Sequence, residues 1–351
     1  MVVRIPRGIG ILIAVAAVLV AAIGVTLSWV FFGPNTFPGG GEKTFYVSRG
    51  QAFGSVVDSL ESSGIIRSGP LFVFVAKVLG ATRRVYSGKY VFPSGVSNYD
   101  IARWLQGGRG TVLISVTVRE GIRSRTQARI FRNTLGIDSA RYMTLVNDED
   151  SVHSLGIDAP SLEGYLLPET YRFPWQPDEK EVIRAQVRLF KEVYDDGLKA
   201  RAKELGWTTD QVLAMASIVE GEALLGEERP IIAGVYHNRL RKGMRLEADP
   251  TIQFIIEDGP RRLLYSDLRR DSPYNTYMYR GLPPGPINNP GKACIRAALY
   301  PEQHNYLYFV ADGKGGHTFS ESYAGHAQAV KDYKYARKQY QATPGSRSVT
   351  H

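Results

Sequence analysis

Two glutamates lie close together in an apolar stretch of the sequence. Glu220 and Glu222 are two residues apart in the run ASIVEGEALL. At about 100° per residue of a helix, they flank one apolar stripe on opposite sides. A carboxyl group in apolar surroundings keeps its proton at neutral pH, because burial disfavours the charged form. Such a group can donate its proton to a glycosidic oxygen, although periodicity alone does not choose between the two glutamates.

Further along the chain, the loop EADPT carries a third acidic side chain. Asp249 is the nearest candidate for a second carboxylate beside the glutamates. It could equally well begin a turn or a helix, because Asp-Pro is common at such positions. Thr251 and Gln253 follow closely and could reach the same cleft. We predict a substrate-binding position for all three.

The segment SPYNTY supplies amide, hydroxyl and aromatic groups over a short distance. Its candidate residues are Tyr274, Asn275, Thr276 and Tyr277. Amides and hydroxyls suit the N-acetyl groups and ring hydroxyls of aminosugars, and aromatic rings suit the apolar faces of sugars. The alternative is a turn in which Asn275 satisfies its own backbone. We predict that this segment lines the cleft.

The remaining charged candidates have structural alternatives. His317, in GKGGHTF, could hydrogen-bond a substrate, although a histidine beside a glycine-rich turn is more often structural. Arg239 and Arg245 could pair with Glu220 or Asp249, or meet substrate carboxylates. No HExxH or comparable metal-ligand spacing occurs among the six histidines, so we predict no metal and no other cofactor.

Composition places the chain among ordinary globular proteins. Apolar residues make up 44% and charged residues 22% of its 351 residues, enough for two or three domains with proper cores. The net charge of +9 does not indicate a nucleic-acid partner, because no basic run is interleaved with aromatic residues. Cys294 is the one cysteine, which excludes an intrachain disulfide.

The N-terminus predicts a membrane anchor. Residues 8–33 are uncharged, and roughly 20 apolar residues suffice to cross a bilayer as a helix. Aromatic residues (WVFF) stand at the far end, where they favour the membrane interface. A cleaved signal peptide is the alternative, but its apolar core would span only about 7–15 residues. Arg4 and Arg7 before the span predict a cytoplasmic tail at residues 1–7, with the rest of the chain outside the membrane.

Patterning beyond the anchor predicts an α+β protein in several parts. Residues 34–43, rich in proline and glycine, are expected to form a flexible linker. A small α+β domain is expected at residues 44–110 and a larger one at 111–340. The last residues, 341–351, resemble a disordered tail.

An ordered set of motifs gives this chain a family resemblance. Residues 44 to about 338 resemble the endolytic murein transglycosylases of bacteria, the MltG or YceG-like family. The shared motifs are YVSRGQAFGSVVDSLESSGII, SGKYVFPSG, YDIARWLQGG, EGYLLPETYRF, ASIVEGE, GVYHNRLRKGMRLEADPT, SPYNTYMYRGLPPGPI and YLYFVADGKGGHTF. One short motif would be weak evidence, but this order and spacing are specific.

The resemblance implies an enzyme that cleaves peptidoglycan glycan strands internally. It implies a LysM-like domain at residues 44–110 and a lysozyme-like α+β catalytic domain after it. In this reaction type one glutamate protonates the oxygen between MurNAc and GlcNAc. The same group then takes the proton of the C6 hydroxyl, which closes on the anomeric carbon and leaves a 1,6-anhydro-MurNAc end.

The resemblance also favours one of the two glutamates. In lysozyme-like transglycosylases a small residue, often Ser or Thr, follows the catalytic glutamate. Glu222-Ala223 fits that pattern better than Glu220-Gly221. We therefore predict that Glu222 is the acid and that Glu220 orients a neighbour or lines the cleft.

Location and partners follow from the same resemblance. It implies a single-pass protein of the bacterial inner (cytoplasmic) membrane, with a periplasmic catalytic domain that acts on nascent glycan strands and terminates their elongation beside peptidoglycan synthases. The competing class is a non-catalytic, membrane-anchored scaffold that binds peptidoglycan within the wall-synthesis machinery. A third alternative is a hydrolase, which would leave a reducing sugar. Only the two enzymes need a proton-donating glutamate.

Overall fold

The computed structural model describes residues 7–83, 85–256 and 259–342. The chain divides into two compact units: a small unit of residues up to 115 with 172–177, and a large unit of residues 116–171 with those from 178 onward. Of the two expected tails, at 1–7 and 341–351, only Arg7, Gln341 and Ala342 lie within the described residues, and all three belong to helices.

A long apolar helix begins the described chain. Helix α1, Arg7–Phe32, has 26 residues, and its stretch from Ile11 to Phe32 is long and apolar enough to cross a membrane. Within the described residues, α1 alone meets that test. Its apolar side chains are largely exposed. These properties fit a single-pass membrane anchor.

The small unit is a strand–helix–helix–strand arrangement with additions at each end. Its elements are β1 (Pro34–Asn35), β2 (Glu42–Val47), α2 (Phe53–Ser62), α3 (Gly69–Val78), β3 (Gly88–Pro93), β4 (Val96–Ser97) and α4 (Asn98–Gly107). Strands β2 and β3 pair antiparallel, from Glu42 opposite Pro93 to Val47 opposite Gly88. The alternation of β2 turns Phe45 and Val47 into a core closed by the helices.

The segment expected as a flexible linker is partly folded into the small unit. Strand β1 pairs with β4, and the Asn35 side chain donates to the Val96 carbonyl oxygen at 3.0 Å. Phe37 is 5% exposed and belongs to the core. The linker expectation for 34–43 is therefore wrong for these residues. Local composition misled it, because their partners lie about sixty residues further along the chain.

The following part of the chain is mostly helical, with short strand pairs. Its elements are β5 (Ile114–Thr117), α5 (Ser124–Leu135), α6 (Ser139–Asn147), α7 (Glu149–Ser154), β6 (Thr170–Phe173), α8 (Glu179–Val193), α9 (Asp196–Glu204), α10 (Thr209–Glu222), α11 (Arg229–Arg241), α12 (Asp249–Ile255), α13 (Lys292–Leu299), β7 (Tyr308–Ala311), β8 (His317–Ser320) and α14 (Tyr323–Ala342). Short 3₁₀ turns lie at Gly226–Glu228 and Asp267–Arg269. Strand β5 pairs with β6, and β7 pairs antiparallel with β8. The mixture of helices and strands agrees with the expected α+β class.

Helix α10 is the central helix of the large unit. Every residue from 212 to 219 is buried, and the helix packs against α11, α12 and α13. A helix that is apolar all round belongs in a core. It begins with a capping box, in which Thr208 accepts from the Gln211 backbone and Gln211 from that of Thr208. It ends at Glu222, so both glutamates occupy the last turn of a rigid helix.

The glycine between the two glutamates allows α12 to approach α10. A Cβ atom at Gly221 would lie 2.6 Å from Cβ and 2.7 Å from Cγ of Pro250. Real Cβ atoms essentially never approach other atoms so closely. The absence of a side chain at Gly221 thus lets the start of α12, where Asp249 lies, pack against the last turn of α10.

Gly221→Ala should lower the free energy of unfolding by about 1–3 kcal/mol, because the added methyl group forces Pro250 and α12 away. Thermal unfolding of the detergent-solubilised full chain, followed by circular dichroism, measures this change. Gly54→Ala is the matched control: Gly54 lies in α2 with nothing within 4 Å of its added Cβ. That substitution should instead stabilise by roughly 0.5–1 kcal/mol through helix propensity. Equal effects from both substitutions would contradict the steric explanation.

Candidate active site

Glu222 forms the first contact of the site with a tyrosine of the next helix. The Tyr236 hydroxyl on α11 donates a hydrogen bond of 2.9 Å to Oε1 of Glu222. Tyr236 is 1% exposed and meets the Phe309 ring edge-on, with 5.9 Å between the ring centroids. The packing of the Tyr236 ring against Phe309 therefore holds its hydroxyl in place. Glu222 itself is half-buried, so its carboxyl group lies at the rim of the core.

The surroundings of Glu222 favour its protonated form. The pKa of Glu222 is raised to about 7, chiefly by loss of hydration and also by the negative charge of Asp249. The hydrogen bond from Tyr236 and the positive charge of Arg239 lower the pKa but do not cancel the burial. Near neutral pH the Glu222 carboxyl group can therefore both donate and accept a proton.

Asp249 and Tyr277 form a second bonded pair beside Glu222. The Tyr277 hydroxyl donates to Oδ1 of Asp249 at 2.5 Å. Burial and this hydrogen bond raise the pKa of Tyr277, and the charge of Glu222 contributes in the same direction. Asp249 is exposed at the first turn of α12. The structure thus brings together Glu222, Asp249 and Tyr277, three of the residues singled out in the sequence.

Both threonines that were expected to bind substrate, Thr251 and Thr276, are buried beneath the Asp249 loop. Thr276 Oγ1 accepts from the Ala248 backbone at 3.0 Å and lies 2.9 Å from Thr251 Oγ1. Thr251 also donates to the Ala248 carbonyl oxygen at 2.7 Å. Thr251 is 0% and Thr276 2% exposed. This differs from the expected cleft-facing positions, because both hydroxyls are bonded within the protein.

Asn275 is likewise directed inward. Its amide nitrogen donates to the carbonyl oxygens of Leu268 at 3.1 Å and Arg270 at 2.7 Å. Its amide oxygen accepts from the Tyr277 backbone at 2.9 Å. Asn275 is 0% exposed. The structure therefore favours the turn alternative, in which this amide shapes the backbone that presents Tyr277.

The other expected binding residues lie in separate contacts. Gln253 exchanges hydrogen bonds with the Arg261 backbone, at 2.6 Å and 3.1 Å. Tyr274 is half-buried, with its ring centroid 4.8 Å from that of Phe254. His317 lies on β8, where both its backbone nitrogen and Nδ1 lie 2.7 Å from the Glu228 carboxyl group. None of these contacts involves Glu222.

Glu220 occupies a different environment from Glu222. Its Oε2 accepts from the Gly291 backbone at 2.9 Å, and its Oε1 lies 3.9 Å from Nη2 of Arg229. The same guanidinium pairs with Glu120 at 3.2 Å. Burial, and then the charge of Glu220, raise the pKa of Glu120. Glu220 is thus bonded to a backbone N–H and lies close to a cation, as a structural carboxylate would be.

Arg239 belongs to neither of the pairs considered for it. It donates to the carbonyl oxygens of Leu307 at 2.6 Å and Leu246 at 2.7 Å, and it pairs with Glu247 at 3.3 Å. These contacts hold the chain just before Asp249. Arg239 acts on Glu222 through its charge rather than through a bond.

Nothing in the sequence alone identifies Tyr236 as a partner of Glu222. The residue directly precedes HNRL in the motif GVYHNRL, but it lies on another helix, fourteen positions from the glutamate. No helical or strand period connects the two. Arg229 and Glu120 were missed for the same reason. The one available signal was the presence of Tyr236 inside a motif.

Comparisons with known proteins agree with the resemblance seen in the sequence. The YceG-like family model matches residues 45–332. The endolytic murein transglycosylase of Bacillus subtilis (strain 168) is 31% identical over 303 residues, which cover 82% of this chain and 83% of that protein. The protein of that name from Streptococcus pneumoniae serotype 2 (strain D39) is 28% identical over 312 residues, covering 78% of this chain and 56% of that protein.

A solved structure shares the fold as well. The crystal structure of a YceG-like protein from Listeria monocytogenes superposes with a TM-score of 0.59 at 29% identity. The superposition covers 82% of this chain and 98% of the Listeria chain. The family model, the relative and the structure all span most of the sequence. The chain therefore belongs to the YceG-like family.

Proposed function

We propose that this protein is an endolytic peptidoglycan transglycosylase with Glu222 as its single acid and base. The observation that carries the proposal is the half-buried Glu222 carboxyl group, whose pKa is raised to about 7 at the end of a buried helix. The names of the Bacillus and Streptococcus relatives support the substrate, murein glycan strands.

The reaction uses both protonation states of Glu222. The protonated carboxyl group donates its proton to the oxygen between MurNAc and GlcNAc while positive charge develops at the MurNAc anomeric carbon. The carboxylate then removes the proton of the C6 hydroxyl, whose oxygen closes on that carbon. One C–O bond breaks, one forms, and no water is consumed. A pKa near the working pH suits such a group, since both transfers stay accessible.

The second pair serves binding in this proposal. Asp249, with the Tyr277 hydroxyl bonded to it, is close enough to raise the pKa of Glu222. Its negative charge is also suited to stabilise the positive charge that develops in the transition state. Tyr274 offers an aromatic face to a sugar. We assign Thr251, Gln253, Asn275, Thr276 and His317 to positioning, because their contacts lie within the protein.

We assign Glu220 a structural role rather than a role in proton transfer. Its carboxyl group accepts the Gly291 N–H and lies near Arg229, so its contacts lie within the protein. It fixes the loop after Pro290 against the last turn of α10. A non-catalytic scaffold needs no raised pKa at Glu222, and this favours the enzyme over the binding protein.

The domain plan of the proposal follows the sequence expectations. Helix α1 anchors the protein in the inner membrane with its N-terminus in the cytoplasm, and the rest lies in the periplasm near peptidoglycan synthases. The strand–helix–helix–strand order with paired strands supports a LysM-like domain at 44–110. The burial of α10, which carries the acid, supports a lysozyme-like catalytic domain at 111–340.

Glu222→Gln should reduce glycan cleavage by at least about 10²–10⁴-fold, because the amide neither donates nor accepts the required proton. The full chain in detergent is incubated with uncrosslinked peptidoglycan, and the fragments are analysed by mass spectrometry. Glu220→Gln is the matched control and should still give 1,6-anhydro ends. Loss of activity in Glu220→Gln alone would move the acid to Glu220. Reducing ends from the wild type would indicate a hydrolase, and no cleavage by a folded, glycan-binding wild type would indicate the scaffold.

Tyr236→Phe should shift the alkaline limb of the kcat/KM profile to higher pH. The hydrogen bond that it removes lowers the pKa of Glu222, so the acid would keep its proton at higher pH. Weaker positioning should also cost up to about tenfold in rate at neutral pH. The control is Tyr279→Phe, which removes an exposed hydroxyl bonded to Asp271 and should leave the profile unchanged. An unshifted profile for Tyr236→Phe would separate this tyrosine from the acid.

Glu222→Gln should stabilise the protein at pH 8 by roughly 1–3 kcal/mol and have little effect at pH 4. The pKa of Glu222 is higher in the folded protein, so the folded state binds more protons between pH 4.5 and about 7. Wild-type stability is consequently lost as pH rises through that range. Thermal unfolding at the two pH values measures the difference.

The same measurement on Glu220→Gln should give the opposite result at pH 8. Its carboxylate accepts from Gly291 and lies near Arg229, so neutralising it removes favourable interactions. Equal shifts for the two variants would contradict this difference between their contacts.

A further inference from the structure

Helix α3 of the small unit is apolar on both of its faces. Phe72, Val75 and Ala76 face the core and are 0% exposed. On the opposite face, Leu71, Phe74 and Val78 are 43%, 44% and 61% exposed. Their spacing places them on one side of the helix. A surface helix of a water-soluble domain carries polar residues there, so this face calls for an apolar cover.

The exposed face of α3 continues the surface of the anchor helix. The Phe74 ring meets the Phe31 ring of α1 edge-on, with 6.1 Å between the centroids. Phe31 lies in the last turn of α1, where the span Ile11–Phe32 ends. Leu71 joins Trp29 in lining a cavity of about 190 Å³ at this junction. The apolar side chains of α3 thus begin where the bilayer interface must lie if α1 crosses the membrane.

The junction between α1 and the small unit is bonded rather than loose. Asn98 of α4 donates from its side chain to the Val30 carbonyl oxygen of α1 at 2.9 Å. The same side chain accepts from Asn35 at 3.1 Å, and Tyr99 packs on Phe32 with 5.2 Å between the ring centroids. These contacts attach α4 to the end of the anchor, and α4 in turn packs against α3.

The charged residues of the α3 segment itself are basic and suit a lipid surface, although the Glu61 carboxylate of α2 lies beside Gly69 at the start of the helix. Arg67 lies just before the helix, with its guanidinium 5.4 Å from the Trp29 ring centroid, and the exposed Lys77 lies in the last turn. The sequence from Arg67 to Val78, RSGPLFVFVAKV, contains no acidic residue. Basic side chains beside an apolar face favour anionic lipid headgroups.

We propose that α3 is a second membrane-binding element, which lies along the bilayer interface with Leu71, Phe74 and Val78 among the lipid chains. The occupant of this face is the outer surface of the membrane that α1 spans. The inference rests on the proposed anchoring by α1. Helix α3 in this position would hold the small unit against the membrane, so that the unit is not attached through α1 alone.

The test places an environment-sensitive fluorophore at single introduced cysteines in the full chain. The chain is reconstituted into vesicles of phosphatidylethanolamine and phosphatidylglycerol, with nitroxide-labelled lipids as quenchers. Labels at Phe74→Cys and Val78→Cys should lose most of their fluorescence to nitroxides near the headgroups. Asp58→Cys, on α2 and exposed, is the matched control and should be quenched several-fold less. Cys294 is buried, which protects it from the reagent.

A third label separates failure of the inference from failure of the anchor. Leu19→Cys, in the middle of α1, should be quenched by nitroxides deep in the bilayer. If Leu19 is quenched and positions 74 and 78 behave like Asp58, the anchor stands and the interfacial helix is refuted. If Leu19 is not quenched, the anchoring itself fails. Fluorescence at 74 and 78 that depends on protein density but not on lipid nitroxides would assign this face to a second copy and overturn the proposal.

The label at Val78→Cys keeps the test valid even where the Phe74→Cys substitution disturbs folding. Val78 is the most exposed of the three side chains and is not among the residues of the small unit's core. Circular dichroism of each labelled chain, compared with that of the wild type, checks that its secondary structure is retained before quenching is measured.

Discussion

The proposed mechanism depends on one constraint: the Glu222 carboxyl group must be buried enough to hold a proton at neutral pH and exposed enough to contact a substrate. Helix α10 meets both requirements by burying every residue from 212 to 219 and then ending at Glu222. Burial raises the pKa of Glu222, while the Tyr236 hydroxyl keeps the charged form accessible. With complete burial the carboxylate would be too costly to form, and with full exposure the proton would be lost at neutral pH.

The same helix turn holds two glutamates with opposite electrostatic environments. Side chains two positions apart in a helix point in directions that differ by about 200° around its axis, so Glu220 and Glu222 face different neighbours. Glu220 accepts from the Gly291 N–H and lies near Arg229. Glu222 meets a tyrosine and the negative charge of Asp249. The contacts of the two side chains therefore differ, although they belong to one helical turn.

The sequence predicts features that depend on residues close together in the chain. It does not predict contacts between residues that are far apart in the chain. The helical period predicted α10 and placed the glutamates on its flanks, and the long apolar run predicted α1. Nothing local connects Glu222 with Tyr236, or Pro34–Asn35 with Val96–Ser97. Asn275 shows a further limit, since an amide suits both a sugar and a turn. Only its contacts with Leu268 and Arg270 decide between them.

The polar residues of EADPT and SPYNTY divide into two layers. The inner layer, Thr251 with Thr276, is buried and ties the two segments together through Ala248. The outer layer, Asp249 with Tyr277, is bonded across the same segments and lies beside Glu222. Since the inner hydroxyls are satisfied within the protein, they add rigidity without competing for a ligand. Displacing either segment would therefore move Asp249 relative to Glu222, because Gly221 leaves α12 in direct contact with the turn that carries Glu222.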